Sequence, residues 1–300
     1  MPLNYSYVLN AVGGKDTLSP AYGEGIRMAL GTLADCGDVD WLADARALDI
    51  PFNGPPDAVA AAFKEMATRW KLDINVVPAE GRKKELLIAD MDSTIIGCEC
   101  IDELADMAGI KPKVAEITER AMRGELDFES ALRERVALLK GLPLESVARV
   151  YAERVRLNPG AKVLLRTMRA NGAYCLLISG GFTYFTSRVA ADAGFDGQQG
   201  NTLVDDGHAL TGKVGEPILG RAAKLEALER AASERELDLF ETMAIGDGAN
   251  DLGMIQRAGL GVAYHAKPVV AEAAAAAITY GDLTGMLFLQ GYREAEFVKG

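Results

Sequence analysis

The chain has 300 residues, 49% of them hydrophobic and 25% charged, which suits a globular protein of one large or two smaller domains. Its formal net charge of −11 argues against a general nucleic-acid binder, and no Lys/Arg block marks a membrane surface. Residues 1–14 lack the basic start and apolar run of a signal peptide, and no stretch of about twenty apolar residues suggests a spanning helix. A cytoplasmic enzyme is the expectation. Four cysteines, Cys36, Cys98, Cys100 and Cys175, form no paired CxxC clusters, so they fit a reducing compartment better than a structural zinc site.

Residues 1–80 read as a small α+β unit. A strand is expected over 5–12, a helix over 21–34, and an alternating strand within 41–52. A helix over 58–70 follows, with Asp57 as its N-cap, and then a strand over 72–77. Residues 78–84 read as a linker. From residue 85 the pattern changes. A strand over 86–89 precedes a helical region over 101–152, broken at 109–112 and 141–143. Then come a helix over 161–171, a strand over 173–178, a helix over 183–193, and a hairpin in 202–214 that turns at Asp205-Asp206-Gly207. A helix over 220–234, a strand over 242–245, a helix, and short strands over 260–263 and 277–279 complete the series.

Strands alternating with helices imply a doubly wound parallel sheet, an α/β class with a Rossmann-like core over 85–300. The helical block after the first of these strands is too long for a simple crossover. It reads as an all-α cap inserted at about residues 98–157.

Three strand ends carry polar clusters: Asp90-Met91-Asp92, Ser179-Gly180-Gly181, and Gly246-Asp247-Gly248-Ala249-Asn250-Asp251. In a parallel sheet these ends share one edge, where ligands bind. Asp90, Asp92, Asp247 and Asp251 would repel one another in a dry cleft. A hard divalent cation resolves that, and Mg²⁺ prefers such oxygen ligands together with phosphate. Ser179 and Gly180 are read as opening a helix, whose N–H groups and dipole suit a phosphate. Lys224 offers a compact positive charge to the same group. Asp90 is placed to attack phosphorus as a nucleophile, and Asp92 to act as general acid and then base.

These motifs resemble the haloacid dehalogenase superfamily of phosphatases, and within it the phosphoserine phosphatases. The resemblance covers roughly residues 85–290. It rests on Asp90-Met-Asp-Ser-Thr94, Glu99 with Ile101-Asp-Glu103, Phe128 to Val136 with Leu139-Lys-Gly141, Ile178-Ser-Gly-Gly-Phe182, and Ile245-Gly-Asp-Gly-Ala-Asn-Asp251. It implies an aspartyl-phosphate formed on Asp90, with Asp92 as acid and base. It implies Mg²⁺ held by Asp90, the backbone of Asp92, and Asp247, with Asp251 in support. Ser179, Gly180 and Lys224 would bind phosphate, and Asn250 would contact substrate. Glu99 would take the ammonium of O-phosphoserine and Arg135 its carboxylate, a match for the two-pronged guanidinium. The resemblance thus implies release of L-serine and phosphate, the last step of serine biosynthesis.

Several residues carry a plainer reading. Arg135 on sequence alone is also a solvated helix charge beside Arg133 and Glu134. Asp102 and Glu103 read as charges at a helix start, Phe128 as cap core or lid, and Asp205 and Asp206 as turn residues. His208 and His265 read as structural, and Cys98 and Cys100 as small residues near a site. Two other functions stay open: phosphoryl transfer to an alcohol such as homoserine, and an amino-acid sensor with a decayed core. Residues 1–80 resemble, in size and element order, a small regulatory domain of some longer relatives. A regulatory or dimerising role, and with it a homodimer, stays open beside a passive one.

Overall fold

A computed structural model describes residues 5–123 and 125–299, which build two large sheets and a short hairpin. The first sheet is antiparallel. Its elements are β1 (Tyr7–Val12), α1 (Pro20–Gly31), β2 (Asp35–Cys36), β3 (Asp40–Ala43), β4 (Ala47–Asn53), α2 (Pro56–Trp70) and β5 (Asp73–Pro78). The strand order is β2-β4-β1-β5, with β3 paired to β4. The period-2 alternation of β1 sends Leu9 and Ala11 under the helices, against Ile26, Leu30, Val59 and Phe63. Val8 and Val12 point the other way, into the core shared with the second sheet.

Two local expectations are corrected below. The strand expected within 41–52 is β4, and it pairs with β3 in a hairpin turned at Ala45, whose φ of 52° lies in the left-handed region. No glycine or asparagine announces that turn. Asp57 lies inside the first turn of α2; the N-cap is Pro55, which makes no side-chain cap bond. Residues 78–84 are pinned rather than a free linker. Arg82 pairs with Asp49 at 2.5 Å and donates to the carbonyls of Phe288 and Leu289. Lys84 is buried, and its Nζ donates to the Gly81 and Phe240 carbonyls.

The second sheet begins with β6 (Leu86–Ala89). Four helices follow, α3 (Cys100–Met107), α4 (Lys111–Met122), α5 (Phe128–Ala137) and α6 (Leu144–Arg154). Next come α7 (Ala161–Ala170), β7 (Tyr174–Phe182), α8 (Thr183–Ala193), β8 (Gly197–Asn201) and the hairpin β9 (Leu203–Asp205) and β10 (Leu210–Val214). The series ends with α9 (Arg221–Glu234), β11 (Thr242–Gly246), α10 (Leu252–Arg257), β12 (Leu260–Tyr264), α11 (Pro268–Ala273), β13 (Ala276–Ile278) and α12 (Gly285–Leu289).

The sheet order is β13-β12-β11-β6-β7-β8, and every neighbouring pair is parallel. This is the doubly wound α/β sheet expected from the alternation. Its first strand, β6, lies in the middle, so the winding reverses there and opens a crevice at the carboxyl ends of β6, β7 and β11. β6 is fully buried, with Leu86 and Ile88 in one apolar layer and Leu87 and Ala89 in the other. The hairpin supports the α5–α6 corner: Gly141 donates to the Leu210 carbonyl, Leu210 to Leu142, and Leu144 to His208.

The two sheets are joined by polar contacts. Asn75 exchanges two hydrogen bonds with the backbone of Ala277, and Asp73 accepts from the N–H groups of Thr279, Tyr280 and Gly281. Among the described residues no helix is long and apolar enough to cross a membrane.

Candidate active site

The carboxyl end of β6 sets the geometry. After Asp90 the chain makes one wide turn over Met91–Ile95, closed by the bond from Ile96 N to the Met91 carbonyl at 3.0 Å. Ser93 takes φ 55°, an uncommon conformation for a non-glycine residue, so the chain doubles back directly after Asp92. The turn keeps both carboxylates at the sheet edge.

Asp90 is buried, and its Oδ1 accepts from Met91 N at 2.8 Å and from Lys224 Nζ at 2.7 Å. Lys224, on α9, also pairs with Asp251 Oδ1 at 2.5 Å. Burial opposes its charge, but the two carboxylates hold its pKa above the ordinary lysine value. Asp251 is completely buried, and its Oδ2 accepts from Gly248 N at 3.0 Å. Asp247 is half-buried and accepts from Thr94 Oγ1 at 3.3 Å. Each of Asp90, Asp247 and Asp251 offers a carboxylate oxygen within 4.8 Å of the others.

This crowding shows in the titration of the group. Burial lifts the Asp90 carboxyl well above the usual carboxylate range, against the pull of Lys224. Burial and then Asp251 lift Asp247 to about 6. Three hard oxygen donors with one lysine among them are short of positive charge, and that donor set fits a hard divalent cation. Asp92 stands apart from the cluster through its side chain. Its Oδ1 accepts from Cys100 N at 2.9 Å and its Oδ2 from Ser179 Oγ at 3.3 Å. Burial, and then the charge of Glu99, push it up to about 7.

Ser179 and Gly180 lie where they can face this group, but not as a helix opening. β7 runs through them to Phe182, and α8 starts only at Thr183. They form instead a bulge in the ladder, between the pairs Ile178–Gln199 and Phe182–Asn201. A narrow cleft lies beside them, lined by Phe128, Ile178, Ser179, Gly180, Leu219, Gly220, Ala223, Lys224 and Asn250. Asn250 also reaches Asp251 Oδ1 at 3.5 Å. Phe128, on α5, closes over Gly180.

Glu99 is the exposed N-cap of α3 and accepts from Ser93 Oγ at 2.7 Å. Arg135 is half-buried on α5, donates to its own helix at the Ala131 carbonyl, and feels the charges of Asp102 and Glu99. Burial holds its pKa below the ordinary arginine value. No carboxylate pairs with it within 4.0 Å among the described residues. The plainer readings fare as follows. Asp102 and Glu103 occupy the first turn of α3, Asp205 and Asp206 accept backbone N–H groups in their turn, and His265 binds the Gly281 carbonyl. Thr94 was not singled out from sequence. Its signal was a polar residue at the head of an apolar pair, Ile95-Ile96, directly after the acidic motif.

Residues 87–256 match the family model of the haloacid dehalogenase-like hydrolases. The chain belongs to that family. Among individual members, this hydrolase is 42% identical over 230 residues to a phosphoserine phosphatase of Archaeoglobus fulgidus, covering 76% of this chain and 67% of the other. It is 48% identical over 243 residues to one from Streptomyces coelicolor, covering 80% of this chain and 59% of that longer protein. Its fold superposes on a probable phosphoserine phosphatase of Vibrio cholerae, solved unliganded, with a TM-score of 0.79 and 31% identity, over 98% of this chain and 88% of the other.

Proposed function

We propose that this hydrolase is a phosphoserine phosphatase that converts O-phospho-L-serine to L-serine and phosphate, with Mg²⁺ as its ion. The observation that carries the reading is that Lys224, paired with Asp90, lines the same cleft as the bulge at Ser179-Gly180, at the sheet's switch point. The names of the relatives supply the serine ester.

Both described contacts of the Asp90 carboxylate fall on Oδ1, which leaves Oδ2 to attack phosphorus. The bond from phosphorus to the serine oxygen breaks as the bond to Asp90 forms. Asp92, near 7, is protonated often enough at neutral pH to give its proton to the leaving alkoxide. It then accepts a proton from the water that hydrolyses the aspartyl-phosphate. Ser179 and Cys100 N hold Asp92 in place through both steps. Lys224 steers Asp90 and offers its charge to the phosphate. Asp90, Asp247, Asp251 and the backbone of Asp92 would hold Mg²⁺, which supplies charge neutralisation for the phosphate oxygens. In this reading Glu99 and Arg135 bind the ammonium and carboxylate of the substrate, and Asn250 contacts it. Residues 85–300 are the catalytic unit, with a cap at about 98–157, and residues 1–80 a separate α+β unit. We place the protein in the cytoplasm, where its four free thiols stay reduced.

The test is phosphate release from phosphoserine with Mg²⁺, with EDTA, and with homoserine added to a parallel reaction. Release that needs Mg²⁺ and yields free phosphate supports the reading. Metal-independent turnover, or phosphohomoserine in place of phosphate, refutes it.

A further inference from the structure

β8 is an unusual strand. Its sequence, Gly197-Gln-Gln-Gly-Asn201, has no β-branched or aromatic residue, yet it completes one edge of the second sheet. Its glycines explain how it fits. A Cβ at Gly197 would stand 2.8 Å from Tyr174 Oη, and one at Gly200 would stand 3.1 Å from the Thr186 side chain and 3.3 Å from the Gly181 carbonyl. The strand therefore packs closer to β7 and α8 than side chains would allow.

That approach matters because of the register. From Ile178 to Phe182 the β7 strand advances four residues, while β8 advances only two, from Gln199 to Asn201. Ser179, Gly180 and Gly181 are left out of the ladder, and Ser179 and Gly180 line the cleft. A bulge leaves backbone groups without ladder partners. Asn201 supplies one. Its side chain is 1% exposed, and Nδ2 donates to the Gly180 carbonyl at 2.8 Å. The same amide brackets Leu219: Oδ1 accepts from Leu219 N at 2.7 Å, and Nδ2 lies 3.4 Å from the Leu219 carbonyl. Gly180 and Leu219 are both walls of the cleft.

We propose that Asn201 is the positioning residue of the phosphate pocket, fixing the bulge that carries Gly180 and the loop that carries Leu219 with one buried amide. It touches neither substrate nor the reacting atoms. The inference rests on the phosphatase reading for the identity of the ligand. Only asparagine meets the pattern at this reach, because it must donate to a carbonyl and accept from an N–H on the same planar group. Aspartate keeps the acceptor for Leu219 N, but sets a carboxylate oxygen against the Gly180 carbonyl.

The experiment compares wild type with Asn201→Asp and Asn201→Ala. Binding of inorganic phosphate is measured by calorimetry in Mg²⁺ buffer, alongside thermal unfolding and steady-state kinetics on phosphoserine and p-nitrophenyl phosphate. A misplaced phosphate wall should weaken phosphate binding roughly 10–100-fold, as loss of a supporting partner does at other ligand sites. KM should rise in parallel on both substrates, since both present the same phosphate, with the larger part of the loss in KM rather than kcat. Asn201→Asp variants that melt like wild type and bind phosphate as tightly overturn the proposal. So does a loss confined to phosphoserine, which would place Asn201 on the serine side of the cleft. If the Asn201 variants fail to fold, Gly200→Ala keeps the question open to refutation. Its methyl presses on Thr186 and Gly181 from the same strand, so unchanged phosphate affinity there overturns the proposal. Wild-type protein that neither binds phosphate nor turns over phosphoserine fails the phosphatase reading itself. Wild-type activity with unaffected variants fails the Asn201 assignment alone.

Discussion

The molecule buries carboxylates in two places and treats them in opposite ways. Between the sheets, Asp49 faces Arg82 and Asn10, and Asp73 accepts three backbone N–H groups. At the edge of the second sheet, Asp90 and Asp251 share Lys224, while the described side-chain partner of Asp247 is the Thr94 hydroxyl. Burial raises the carboxyl pKa at both places, at Asp49 and Asp73 as at Asp90 and Asp247. The difference lies in the company each keeps. A carboxylate buried for structure carries its partners with it. The carboxylates at the sheet edge are left short of positive charge, which in the proposed reading a cation supplies.

The largest expected effect breaks the second group. Asp90→Asn should lower phosphoserine turnover on the order of 10⁴-fold or more, as removal of a nucleophile does. Its melting temperature should hold or rise, because a crowded charge is gone. A marked fall in melting temperature would mean that Asp90 is structural after all. The mirror experiment is Arg82→Ala, which leaves Asp49 buried without its cation. Denaturant unfolding should show a loss of about 3–5 kcal/mol, while kcat of the folded enzyme stays put. Unchanged unfolding free energy would show that the seam between the sheets does not depend on that pair.

Arg135 tests whether the substrate completes a pair that the resting chain lacks. Arg135→Ala should cost roughly 2–5 kcal/mol in kcat/KM on phosphoserine, and much less on p-nitrophenyl phosphate, which has no amino-acid head. Equal losses on both would make Arg135 a support for α5. The smallest effect is a pH profile. In the proposed mechanism the acid form of Asp92 protonates the serine alkoxide, and burial lifts its carboxyl to about 7. As pH rises through about 7 that form is lost, so single-turnover phosphorylation by phosphoserine should fall on the alkaline side. p-Nitrophenyl phosphate, with a leaving group that needs no proton, should show a flatter limb. Identical alkaline limbs would remove Asp92 from the acid role.

The sheet and the three polar strand ends were legible in the sequence because each joins a short apolar run to a polar cluster, as at 86–92 and 242–251. β8 was not legible, since Gly-Gln-Gln-Gly-Asn has no strand-forming side chain and gains its place by close approach. The Ser179-Gly180-Gly181 segment was read as a helix opening because serine and glycine favour helix starts. In the structure, the ladder with β8 holds the chain extended until Phe182, so these residues belong to the strand and its bulge, and the helix opens at Thr183, where its start was expected. The β3–β4 turn was hidden for a similar reason, since Ala45 enters the left-handed region without any residue that favours it. Asp90 and Asp92 stood out by their place directly after the apolar strand 86–89, together with the other two polar strand ends. The pairing of Lys224 with both Asp90 and Asp251 needed the fold, because those residues meet only through α9 and β11.

Phe128 sits so close to Gly180 that a methyl group on that glycine would lie 3.0 Å from its Cζ. The ring therefore rests on the pocket like a shutter on its frame, with α5 as the leaf. The tip of α5 and the β7 bulge thus form one continuous wall, so a larger residue at 180 would have to move the ring.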